Sequence, residues 1–158
     1  MKRKNMGEIL KTITGQLCGN GIVTNEGQFL VYEYVEIKND QETVRFESVA
    51  MNKEMAIAMK TGRAFQFADS KNFNTHFKHQ FLCAVQAKNG DVISDDRVLK
   101  GAFKVRRFLA FLSLIPPATI VAPFVFKKAG EIKAASEQVG EFDPKDKNFY
   151  RNVKKKKM

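Results

Sequence analysis

The chain is poor in the residues that build active sites. Its 158 residues include two histidines and two cysteines. Cys18 and Cys83 stand far apart without CxxC spacing, which excludes a disulfide framework and a paired-cysteine zinc signature. They read as buried, reduced thiols of a cytosolic domain. His76, His79 and Cys83 give H-x2-H-x3-C, but no fourth ligand lies nearby and Cys83 falls in an apparent strand. That segment reads as a polar loop with ordinary histidines. Asp95 and Asp96, beside Ser94, read as helix N-terminal charges rather than a metal or acid site. GNG at 19–21 and TGR at 61–63 are too short for phosphate loops, and no Ser/Cys–His–acid order is evident. The expectation is a non-enzymatic protein with no cofactor and no metal.

Two further absences concern placement. The N-terminal MKRKNMGEILKTITG is basic but has no apolar core, so no cleavable signal peptide is expected and the body is assigned to the cytoplasm. Between Phe108 and Phe126, nineteen consecutive residues carry no charge. There are also no internal repeats.

Charge is present, but unevenly. Residues 1–97 hold 13 Lys/Arg and 12 Asp/Glu, a net of +1; residues 98–158 hold 14 and 5, a net of +9. A duplex-binding domain usually carries its charge on the folded body. Here the excess flanks the apolar run and fills the tail, as in a polybasic segment facing anionic lipid.

The first two-thirds of the chain is patterned as a small β-rich domain over 9–94, after a flexible 1–8. Residues 9–17 are loosely strand-like. CGNGIVTNEG (18–27) reads as turns. QFLVYEYVEIKND (28–40) is the clearest strand, with Leu30, Tyr32 and Tyr34 alternating against Val31, Glu33, Val35 and Ile37. NDQE (39–42) turns into a return strand over 43–51, with Val44, Phe46 and Val49 inward. Asn52 caps a short helix with Met55, Ala56 or Ile57, and Met59 on one face, ended by Gly62. Strands follow at 63–70 and 80–88, then an NGD turn (89–91) and a short strand at 92–94. Three strands, a helix and two strands is the order of an OB-type barrel, so the fold class expected is α+β with a small barrel or curled antiparallel sheet. Tyr32, Tyr34, Phe46, Phe65, Phe67, Phe73, Phe77 and Phe81 could form a base-stacking face. Glu33, Glu36, Glu42 and Glu47 among them repel phosphate and count against nucleic-acid binding.

Residues 95–140 read as helical around the apolar run. The run is long enough for one kinked span of about 20 residues, but basic residues close both ends. A single span would export one of those ends against the positive-inside rule. A hairpin turning at Pro116–Pro117 removes the conflict, and the prolines lack N–H groups that lipid would leave unsatisfied. Its arms extend to 95–115 and 118–138. The membrane-inserting residues are then Phe108, Leu109, Phe111, Leu112, Leu114, Ile115, Pro116, Pro117, Ile120, Val121, Pro123, Phe124, Val125 and Phe126. Lys104, Arg106, Arg107, Lys127 and Lys128 lie at the headgroups. The partners expected are an anionic lipid membrane, which holds the β-domain at its cytoplasmic face, and a protein bound at a strand edge. The alternatives are a kinked transmembrane helix, or a soluble OB-like nucleic-acid binder whose apolar run is an oligomer contact. Residues 127–140 read as an exposed helix ending at Gly140, and 141–158 as a disordered basic tail.

Overall fold

The computed structural model describes residues 9–69, 78–114 and 121–142. It is a mixed α+β structure: one curled, mostly antiparallel eight-stranded sheet, and three helices among the described residues. The strands are β1 (Leu10–Thr14), β2 (Gln16–Asn20), β3 (Val23–Glu26), β4 (Phe29–Lys38), β5 (Thr43–Met51), β6 (Gly62–Ala68), β7 (Gln80–Ala87) and β8 (Val92–Ser94). The helices are α1 (Lys53–Met59), α2 (Arg97–Leu112) and α3 (Ala122–Glu137). The path across the sheet is β1-β6-β7-β5-β4-β2, with β3 also on β4 and β8 also on β7.

The two ends of that path are consecutive in sequence. β1 and β2 are halves of one strand bent at Gly15, whose N–H bonds Arg63 O at 2.9 Å. A Cβ on Gly15 would sit 2.5 Å from Lys38 O and 2.8 Å from Ile37 Cγ2, so only glycine lets the strand cross there. With β1 and β2 counted as one strand, four strands precede α1 and three follow it, so the expected order of three strands, helix and two strands appears with β3 and the short β8 added.

Residues 18–27 depart from the turns expected of their composition. They are mostly strand, running along β4. Gly19 and Gly21 serve close approach: a Cβ at either would lie 2.8 Å from Glu36 or Tyr34 side-chain atoms. Cys18 is correspondingly exposed on β2, whereas Cys83 is buried.

The β4–β5 pairing contains a step that simple alternation does not predict. Leu30 and Tyr32 face the interior of the curl, but so do Val35 and Ile37. On β5, Val44 and Phe46 face inward, and so do Val49 and Met51. Both strands change face together between the pairs Tyr32↔Val49 and Tyr34↔Glu47, leaving Glu33 and Ser48 at the step. Ser48 has φ +54°, a conformation that costs a non-glycine residue about 1 kcal/mol or more. Because both strands slip together, the register survives and the apolar set stays on one face. Tyr34 is half-buried under the Arg45 guanidinium, 3.7 Å from its ring centroid.

The helix over 53–59 forms as its sequence dictates. Asn52 Oδ1 accepts from Met55 N–H at 2.8 Å, and Met55, Ala56 and Met59 are buried while Ile57 is exposed. Such a cap is worth about 1 kcal/mol. Gly62 opens β6 instead of closing the helix. The interior core joins these methionines to Val35, Ile37, Phe46, Val49, Phe65, Phe67, Leu82 and Val85.

A second core covers the outer face of the sheet. Ile9, Val31, Ala50, Ala68, Phe81 and Cys83 meet Leu99 and Ala102 of α2 and Ile132 and Ala135 of α3. Residues 127–140 are therefore not simply an exposed helix: one face of α3 is docked on the sheet. α2 begins at Arg97 rather than near Ser94, which ends β8. The expected Pro116–Pro117 turn lies outside the described residues, as do 1–8, 70–77 and most of the basic tail. No helix of the described residues is long and apolar enough to cross a membrane, so the kinked transmembrane helix expected as an alternative is not found.

Candidate functional site

The site is the end of the α2–α3 pair away from the sheet. The two helices run antiparallel: their polar ends share the outer core, while Phe111 and Phe126 meet edge to face, with ring centroids 6.0 Å apart. Beside that ring pair, the buried side chains at this end are small. Ala110, Ser113, Ala122 and Ala129 are buried. The large apolar residues turn outward instead. Phe108 is 63% exposed and Phe124 74%, and Leu109, Phe111, Leu112, Leu114, Val121 and Phe126 are all exposed. Pro123 is exposed at the start of α3, where a missing N–H costs nothing, and Val125 is half-buried. A hairpin folded for water buries its large residues and exposes its small or polar ones; this end is the inverse.

Polar groups at this end are satisfied locally. Ser113 Oγ donates to Ala110 O at 2.7 Å, and no buried side-chain N or O among the described residues lacks a partner. Cations stand just below. Lys104, Arg107 and Lys127 are exposed, and Arg107 reaches over the Phe111 ring at 5.8 Å. Arg106 is half-buried, and Lys128 pairs with Glu131 at 3.2 Å. At 1.5 Å per residue, Arg107 to Leu114 and Val121 to Lys127 each span about 10 Å. Arg107 and Lys127 each lie about 10 Å along their helix from its last described residue. Of the membrane-inserting residues expected from sequence, Ile115, Pro116, Pro117 and Ile120 lie outside the described residues; the rest gather at this end.

The exit of the hairpin is anchored. Gly140 N–H donates to Gln66 Oε1, and Gln66 Nε2 donates to Glu141 O, both at 2.8 Å. Gln66 is 3% exposed, on the outer face of β6. The entry is tied as well. Asn52 Nδ2 donates to Asp95 Oδ2 at 2.6 Å, and Asp95 binds Arg97 at 2.8 and 2.9 Å. The Arg97 hydrogen bonds hold the Asp95 carboxyl below the usual carboxylate range. Chain entry and exit thus lie on the sheet side.

The other residue groups weighed from the sequence lie as follows. His79 does not approach Cys83. Its Nδ1 lies 2.7 Å from Ser48 Oγ, and its Nε2 lies 3.4 Å from Glu26 Oε2. This Ser–His–Glu series joins Ser48 within β5 to Glu26 at the end of β3 and His79 just before β7, and the sequence order concealed it. His79 and Glu26 rim a cavity of about 230 Å³ floored by Phe29, Val31, Ala50 and Phe81. His76, Phe73 and Phe77 lie outside the described residues. Among those described, no cluster of three metal-ligating side chains occurs. Tyr32, Phe46, Phe65, Phe67 and Phe81 are buried, so they offer bases no stacking face. Phe46 and Phe67 stack on each other at 4.0 Å instead.

Comparison of the chain with family models, with curated proteins and with solved structures gives no match.

Proposed function

We propose that this protein is a non-enzymatic, membrane-associated interaction module. A small barrel of OB-type connectivity is held at a lipid surface by the α2–α3 hairpin. The barrel reading is supported by the strand path, in which one bent strand lies at both ends, and by the parallel β5–β7 pairing beyond α1. The membrane reading is supported by one observation above all: at the hairpin's end small residues are inside and large apolar ones outside. Without a hydrophobic drive between helices, lipid-immersed pairs associate through small residues at close approach. Each large side chain moved fully from water into lipid gains about 1.5–3 kcal/mol. The cations below them suit anionic headgroups at about 1 kcal/mol each.

In this reading Phe108, Leu109, Phe111, Leu112, Leu114, Val121, Phe124 and Phe126 enter one leaflet. Lys104, Arg106, Arg107, Lys127 and Lys128 meet its headgroups. The barrel and residue 141 stay on the same, cytoplasmic side. The barrel's protein-binding edge is β3, which is exposed throughout and pairs on one side with β4.

Flotation of the full chain with phosphatidylcholine vesicles containing phosphatidylserine tests the reading. Co-flotation that weakens when Phe108 and Phe124 are changed to serine supports it. A chain that stays in the aqueous fraction, or one that buries the same residues by concentration-dependent self-association and ignores vesicles, overturns it.

A further inference from the structure

We infer that Ser48 is an acyl-accepting nucleophile: one short acyl group passes from a thioester donor to Ser48 Oγ, and its chain lies in the cavity beside His79. The site is built on the sheet and not on the hairpin end, so it goes beyond the membrane reading. The serine is consumed in the reaction, which makes this a modification site without turnover.

The sheet register brings the groups together. β5 and β7 run parallel, with Val49 opposite Gln80 and Ala50 opposite Phe81. One step back along the same register, Ser48 stands opposite His79. Ala50 and Phe81 belong to the outer core, and alternation along each strand puts Ser48 and His79 on that same face. Ser48 Oγ and His79 Nδ1 are 2.7 Å apart, the separation of a nucleophile and its base. His79 Nε2 lies 3.4 Å from Glu26 Oε2. A carboxylate beside Nε2 keeps the ring proton there, which leaves Nδ1 to accept the hydroxyl proton.

The backbone is a second observation. Ser48 is the one non-glycine residue of positive φ among the described residues, at +54°. Glycine takes that conformation freely, so nothing in the backbone favours serine there. Strain of this kind concentrates at sites that hold a side chain in one orientation. The turn that carries the nucleophile of many acyl-transferring enzymes is strained likewise.

The cavity is the third. It measures about 230 Å³, with His79 and Glu26 on its rim and Phe29, Val31, Ala50 and Phe81 as its floor. Ala50 is two positions from Ser48, about 7 Å along the strand. An apolar cavity of about 150 Å³ admits benzene, so this one takes a short alkyl or aryl acyl chain. In the transfer, the Oγ–H proton passes to His79 Nδ1 as Oγ bonds the thioester carbonyl carbon. The carbon–sulfur bond then breaks, and the proton moves from Nδ1 to the departing thiolate. An oxygen ester and a free thiol result, with no oxidant or reductant needed. A thioester suits a site with a single base, because a thiolate, whose thiol has a pKa of about 8.5, leaves more readily than an alkoxide. Glu26 touches neither the acyl group nor Oγ. It is a positioning residue that also offsets the imidazolium charge.

The full chain carrying Cys18→Ala, which removes a competing exposed thiol, is incubated with the butyryl thioester of N-acetylcysteamine. Intact mass and peptide mapping follow the product. One butyryl group on Ser48 is expected. His79→Gln should slow its appearance about a hundredfold, the size of a general-base contribution. Glu26→Gln should lower the maximal rate about twofold to fivefold, as loss of an exposed ion pair does, and leave the half-saturating thioester concentration unchanged. A merely structural role would move both or neither. Ser48→Gly, which relieves the backbone, should stay folded by circular dichroism and gain no butyryl group. No butyryl group on Ser48, transfer that His79→Gln leaves unchanged, or labelling of Ser48→Gly at the parent's rate each overturns the inference and leaves the membrane reading standing.

Discussion

Gln66, buried on β6, holds Gly140 with its side-chain oxygen and the next residue with its nitrogen, both at 2.8 Å. One amide therefore closes the chain exit of the hairpin onto the sheet. Gln66→Leu removes both bonds and leaves Gly140 N–H and Glu141 O to find water, at a cost of about 1–3 kcal/mol. The same change should increase hydrogen exchange around 138–141 before it affects α1. Urea denaturation and exchange measured by mass spectrometry check both expectations; unchanged exchange would show that the clamp does not hold the exit.

Gly15 is the bend on which closure of the sheet depends. Gly15→Ala places a methyl group 2.5 Å from Lys38 O and should cost about 2 kcal/mol or more, because backbone has to move. Gly90 is the control. Its φ is +92°, but a Cβ there meets nothing within 4 Å, so Gly90→Ala should cost about 1 kcal/mol from conformation alone. Thermal unfolding of the pair gives the ordering directly.

The hairpin end should separate stability from lipid binding. Phe108→Ser with Phe124→Ser alters side chains that are 63% and 74% exposed, so folding stability in solution should change by less than about 1 kcal/mol. Vesicle affinity should fall at least tenfold, since each phenyl contributes on the order of 1.5 kcal/mol or more on burial. Calorimetry and flotation on the same samples make the comparison.

Asp95 makes stability depend on acid. Hydrogen bonds from Arg97 lower its folded pKa beneath the value of about 3.9 in an unfolded chain. Its stabilisation is therefore complete above that unfolded value and is lost as pH falls through the folded one. Asp95→Asn should flatten the acid limb of the stability curve below about pH 4. Denaturant midpoints measured across that range would show no difference between the two proteins if Asp95 were uninvolved.

The two thiols should react unequally. Burial pushes the Cys83 thiol up to about 12, so almost none is thiolate at neutral pH. Cys18 is exposed. Iodoacetamide should alkylate Cys18 in the folded protein and Cys83 only after denaturation, as peptide mapping would reveal; rapid native labelling at Cys83 would contradict its burial.

Much of the architecture was legible because it is set by neighbours in sequence. The alternation in 43–51, the NDQE turn and the Asn52 cap each involve groups within a few residues of one another. Asn39 Oδ1, for example, accepts from the N–H groups of Gln41 and Glu42 at 2.9 and 2.8 Å. The glycines at 19 and 21 misled because composition cannot tell a glycine that turns from one that lets another side chain approach. The inward set Val44, Phe46 and Val49 was read correctly on β5, but the matching face change on β4, which puts Val35 and Ile37 with Tyr32, was not, because a strand's own pattern does not show where it slips with its partner. The Ser48–His79–Glu26 series was hidden for the same reason: its members are 22 to 53 positions apart and meet only where the end of β3 and the residue before β7 come beside Ser48 of β5.

The sequence by itself determined that an uncharged block of nineteen residues, with Pro116–Pro117 near its centre and basic residues at both ends, would lie within a helical segment. Hydropathy, proline's missing N–H and local charge suffice for that. Whether the chain passes through that block and on, or turns back, was not local information. Tertiary structure decided it, because Gln66 bonds backbone groups 74 and 75 residues away, and those bonds form only once β6 is in the sheet and α3 lies across it. The same docking buries alanines between the helices and turns the phenylalanines outward, an arrangement that depends on how two helices face each other and not on the order of residues in either.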